Sequence, residues 1–194
     1  MKVAVIDLRG SESPNQNTLR VDSDCAVAIF VGHGTRQSVC GYTSQTFPRL
    51  PSVKVIWLYA CNCGKKLIKE IAEMHGNVTV FGYTTNILAP TTGPIELTVA
   101  GDIKDSLEEY SGPSITSHIL RHVQDRLLKE AVRDIEKAKA QRDGTMLMVA
   151  ALINHTRLSL RFAEYHSVQS TSPADSLVQS TLHENASKDS LVAE

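Results

Sequence analysis

Two apolar runs in this chain end on residues that can do chemistry. "IFVGHGTRQ" (29–37) carries His33 followed at once by Gly34, and in "VIWLYACNCG" (55–64) the apolar run ends on Cys61. A thiol with an imidazole beside it supplies the two parts of a nucleophile–base pair. Gly34 lets backbone approach a substrate carbonyl, and its N–H with that of Cys61 can form an oxyanion hole. The same residues allow a second chemistry. His33, Cys40, Cys61 and Cys63 are four side chains of types that zinc accepts, although C-x-C and H-x6-C are not the usual finger or ribbon spacings.

Either chemistry needs elements that bring residues 33 and 61 together. "KVAVID" (2–7), "CAVAIFV" (25–31), "SVKVIWLY" (52–59) and "NVTVFGY" (77–83) are short apolar runs. Continuous rather than alternating apolar residues predict strands covered on both faces, as in a parallel sheet. Between the last two, Leu67, Ile68, Ile71 and Ala72 share one helical face over 64–75, with Gly76 as a left-handed terminator. That makes a βαβ unit. His33 and Cys61 then both lie at carboxyl ends of strands, the edge where open α/β sheets bind ligands. Cys61 is expected at the entry to the 64–75 helix, whose positive dipole end favours thiolate.

The remaining chain is read more coarsely. Residues 11–18 form a polar loop, and 84–114 are turn-rich with one strand at "IELTVA" (95–100). A long amphipathic helix follows from Ile115 to about Gly144, capped by Ser114 or Ser117, and a more buried helix covers 145–165. The fold class is α/β, a parallel-rich sheet sandwiched by helices with a helical C-terminal part. One domain spans 1–166, and 167–194, rich in Ser, Thr, Gln and Asn, is a disordered tail.

Composition narrows the function. The chain has 194 residues, 42% hydrophobic and 21% charged, with 20 basic and 21 acidic side chains. Such balance gives no electrostatic footprint for nucleic acid. The longest apolar run, Met146 to Ile153, falls far short of the ~20 residues a membrane span requires. The N-terminus meets Asp7 and Arg9 too early for a signal peptide. The expectation is a cytoplasmic protein whose four cysteines, Cys25, Cys40, Cys61 and Cys63, stay reduced. His75 is read as a helix C-terminal residue favourable to the dipole, His118 and His122 as solvent-facing, His155 as core-flanking and Trp57 as core.

Apolar block–His–Gly followed by apolar block–Ala–Cys resembles the caspase-like clan of cysteine peptidases. "YACNCG" is most similar to the CHAT and separase form, Ala-Cys-x-Thr-Gly, with Cys63 where threonine is usual. The likeness covers roughly residues 25 to 83. It implies a thiol protease in which Cys61 is the nucleophile, His33 the general base and Gly34 an oxyanion contributor. It implies a protein substrate, no cofactor, and a regulatory partner or signal. In this clan, residues after the first strand and beyond the nucleophile help line the pocket for the residue before the cleaved bond. Here those are Asp7, Arg9, Tyr83, Thr84 and Asn86. Asp7 is favoured as the pocket carboxylate, selecting a basic residue, with Arg9 turning to solvent. Two alternatives stand beside this. One is a catalytically dead member acting as a binding module. The other is a zinc or chelatase-type metal protein, since "VGHGTR" also resembles the metal-inserting histidine of sirohydrochlorin-type chelatases. There that motif closes the first strand, whereas here a strand precedes it.

Overall fold

A computed structural model describes residues 1–9, 19, 21–87, 95–113, 116–141 and 162–166. The four apolar runs form strands β1 (Val3–Asp7), β2 (Val27–Val31), β5 (Val55–Tyr59) and β6 (Thr79–Tyr83). Two short strands lie between β2 and β5, namely β3 (Ser38–Val39) and β4 (Tyr42–Thr43). The helices are α1 (Leu67–His75), α2 (Ile95–Glu109) and α3 (Thr116–Gln141), and β7 (Phe162–His166) closes the series. The main sheet has the order β1-β2-β5-β6-β7. Its first four strands are parallel, and β7 joins β6 antiparallel. The protein is α/β, as its continuous apolar runs require.

Each parallel step moves to the same side of the sheet. Crossovers of one hand then fall on one face. Phe30, Ile56, Leu58 and Val80 face that side. They pack against Val39, Tyr42, Phe47 and Leu50 of the β2–β5 connection and Leu67, Ile68 and Ile71 of α1. The opposite face, with Val27, Ile29, Val31, Trp57 and Phe81, is covered by Val99, Ile103 and Leu107 of α2 and Ile119, Val123 and Leu127 of α3. All five residues of β2 are buried, which explains a run without a polar position.

Several expectations change. "IELTVA" begins helix α2 rather than a strand, because Val99, Ala100, Ile103 and Leu107 bury one helical face against the sheet. The helix expected over 145–165 gives way at its C-terminal end to β7, paired with β6 from Tyr83↔Phe162 to Thr79↔His166. Residues 145–161, His155, the 11–18 loop and the 167–194 tail lie outside the described residues. Gly76 has the expected positive φ, 62°, but ψ is 147°, so it ends α1 outside the left-handed helical region; its N–H bonds Ala72 O at 2.9 Å. Asn77 follows at φ 46°. Among the described residues, no helix is long and apolar enough to cross a membrane.

Candidate active site

Register brings the chemistry to one edge. Asp7 pairs with Val31, Val31 with Tyr59, and Leu58 with Gly82, so four strands finish together. The segments that leave this edge carry Arg9, His33, Cys61 and Thr84–Asn86. Strands β2 and β5 are direct neighbours, about 4.8 Å apart, so His33 and Cys61 leave adjacent strand ends. The ladder's last rung is Gly32 N–H to Tyr59 O at 3.2 Å.

Gly34 rests on the Cys61 peptide. A Cβ at Gly34 would lie 2.6 Å from Cys61 N and 2.8 Å from Ala60 Cβ, and closer still to Cys61 O. Close approach rather than unusual backbone conformation demands glycine here. Among the described residues, neither Gly34 N–H nor Cys61 N–H donates to a backbone carbonyl. Two N–H groups without a backbone acceptor therefore belong to residues that touch at the edge.

The thiol of Cys61 is half-buried and held by Ile87, whose N–H donates to Sγ at 3.1 Å and whose carbonyl accepts from it at 3.5 Å. The segment after β6 is strapped along the Cys61 turn by Asn62 N–H to Thr85 O and Gly64 N–H to Tyr83 O, each 3.0 Å. Asn62 Nδ2 also bonds Asn86 Oδ1. Asn62 itself is left-handed, φ 57°, so Cys61 does not open a helix. Helix α1 starts only at Leu67, whose N–H is met by Arg36 O at 3.2 Å. The helix-dipole support expected for Cys61 is thus replaced by the Ile87 strap. The His33 ring is exposed, and among the described residues it makes no hydrogen bond to Cys61.

The other cysteines point elsewhere. Cys63 is fully buried, donating to Ala60 O at 3.1 Å, and burial pushes its thiol up to about 12. Cys40 Sγ accepts the His33 N–H at 3.2 Å. With Cys61 held by Ile87, Cys63 by Ala60 O and Cys40 by the His33 backbone, the three sulfurs and the His33 ring do not form a group spaced to hold a metal among the described residues. Among the described residues the group spaced to hold a cation is Asp22, Asp24 and Cys25. Lys2 Nζ already bonds both of those carboxylates.

The expected pocket residues divide. Arg9 does not turn to solvent: its Nε and Nη2 fork onto the two Asp7 carboxylate oxygens, both at 2.9 Å. That guanidinium holds the Asp7 carboxyl below its usual range. Tyr83 turns inward instead of lining a pocket. It is 1% exposed, takes the Trp57 Nε1–H at 3.1 Å, and burial pushes its phenol well up. Thr84 and Asn86 remain at the edge. Elsewhere, His75 is half-buried against Phe47; burial first and Arg49 second lower its pKa, so it is no cation on the dipole. His118 is exposed as expected, whereas His122 packs on Tyr110 with Nε2 3.0 Å from Ser106 O.

Sequence reasoning missed Asn62, Ile87 and the Cys40 turn. "Cys-Gly" between two β-prone pairs was the one local signal for that turn. Fold and site together define an α/β protein with a cysteine and a histidine on neighbouring parallel strand ends. Compared with protein-family models, curated proteins and solved structures, the chain matches none.

Proposed function

We propose that this chain is a caspase-like cysteine endopeptidase, a hydrolase acting on a protein substrate through Cys61 and His33. The observation that supports it most is the seating of Gly34 on the Cys61 peptide. It joins the two motifs at one point, with the backbone of Gly34 against that of Cys61. In the reaction, the Cys61 thiol proton passes to the His33 imidazole as Sγ attacks the substrate's carbonyl carbon. The oxyanion takes the Gly34 and Cys61 N–H groups. The imidazolium then protonates the leaving amine, and water hydrolyses the thioester with His33 again as base. The reaction requires the exposed His33 ring to turn toward Cys61 and Sγ to exchange its Ile87 contact for substrate.

That Ile87 contact also favours a second reading, a binding module in which Cys61 is structural. One experiment separates the two. A thiol-reactive peptide electrophile, with mass spectrometry locating the adduct, should label Cys61 in the native protein and lose at least most of that labelling in His33→Ala. Labelling that ignores His33 would leave the binding module.

A further inference from the structure

The β3–β4 hairpin turns on a residue that suits it poorly. Val39 pairs with Tyr42, and the two residues between, Cys40 and Gly41, have φ of 45° and 81°. Positive φ at both central positions is the mark of a type I′ turn, which matches strand twist and selects Asn, Asp or Gly in first place. A side chain without that local polar group is strained there by its Cβ against the following carbonyl. Strain of this kind persists where the surroundings hold it, and it directs attention to what the side chain does.

The Cys40 side chain and backbone grip the His33 peptide from both ends. Sγ accepts the His33 N–H at 3.2 Å, and the Cys40 N–H donates to His33 O at 2.7 Å. The sulfur lies so close over Gly32 that a Cβ there would collide with it. Gly32 and Cys40 are therefore matched: one clears the space the other fills. His33 has passed the last rung of the β2–β5 ladder, so this hairpin holds its backbone in place of the sheet.

We propose that Cys40 is a positioning residue for His33, fixing the peptide from which the imidazole reaches Cys61. This rests on His33 being the base. Cys40→Gly suits the turn, keeps the N–H to His33 O and removes the whole CH2–SH side chain. Cys40→Ala removes the sulfur while keeping the strained backbone, and serves if glycine loosens the hairpin. Cys40→Ser restores an acceptor. The readout is the pH profile of Cys61 alkylation by iodoacetamide, located by peptide mass spectrometry, with His33→Ala as the floor. The sulfur-free variants should lose about tenfold in rate, part of the roughly 10² to 10⁴-fold a placed general base supplies. Their profiles should move toward that of His33→Ala, and Cys40→Ser should recover most of the loss. Wild-type rate and profile in Cys40→Gly or Cys40→Ala would overturn the proposal, as would a serine no better than glycine. If His33→Ala itself alkylates like wild type, the dyad reading fails first, and this proposal falls with it.

Discussion

Gly34→Ala is the sharpest perturbation of the site, because its cost is set by backbone. The added methyl would stand 2.6 Å from Cys61 N and 2.8 Å from Ala60 Cβ, with Cys61 O nearer still. No rotamer change relieves backbone contacts, so the 33–34 and 60–61 segments must separate. Overpacking of this kind costs about 1–3 kcal/mol. At roughly 2–4 °C per kcal/mol for a chain of this size, Tm should fall by about 4–8 °C for a cost near 2 kcal/mol. Gly101→Ala is the internal control. It lies in α2, and a Cβ there meets nothing within 4 Å. Replacing a helical glycine by alanine stabilises by roughly 0.5–1 kcal/mol, so the same substitution should raise Tm by about 1–4 °C. On the proposed mechanism, separation also moves one of the two oxyanion donors. Since losing one such donor costs about 10² to 10³ in rate, labelling of Cys61 by a peptide electrophile should slow by at least about tenfold. Differential scanning calorimetry and timed mass spectrometry read both effects. Wild-type melting in Gly34→Ala would refute the close approach. A lowered Tm with unchanged labelling would keep the contact and remove the oxyanion role.

Three further outcomes follow from other residues. Burial raises the Cys63 thiol from 9.0 to about 12, so the folded chain keeps a proton that the unfolded chain releases, and stability should fall as pH rises above 9. The loss between pH 9 and 10 is about 1 kcal/mol, and Cys63→Ser should flatten urea melts in that window; an unchanged slope would contradict it. Tyr83 has the same sign but acts only above pH 10. His75 is depressed by burial and Arg49, so the stability it contributes is present above its ordinary value of 6.5 and lost as pH falls. His75→Gln should therefore lessen the fall in Tm between pH 6.5 and 5, and a steeper fall would count against the neutral ring. Arg9→Gln should free the Asp7 carboxylate, so a peptide-library profile should gain Arg or Lys before the cleaved bond. No gain would remove Asp7 from the pocket.

The sequence by itself determined the elements whose burial pattern is local. Strands β1, β2, β5 and β6 announce themselves as continuous apolar runs because both sheet faces are covered. Helix α1 shows in Leu67, Ile68, Ile71 and Ala72, and α3 in Ile119, Val123 and Leu127, since one stripe of each is buried. "IELTVA" misled because its β-branched residues suit a strand, while the helical period appears only once Ile103 and Leu107 are included. The sequence also put His33 and Cys61 each just past a strand. Tertiary structure decided what lies between them. Strand order makes β2 and β5 neighbours, and no local propensity encodes which strands pair. It also decided that Arg9 forks onto Asp7, that Cys63 turns into the core and that Ile87 meets the Cys61 sulfur. Those side-chain directions depend on partners 2 to 26 residues away, and even the nearest pair needs the turn after β1 to set its fork. A strand's period fixes which face a residue takes, but only the packed neighbours fix what it touches there.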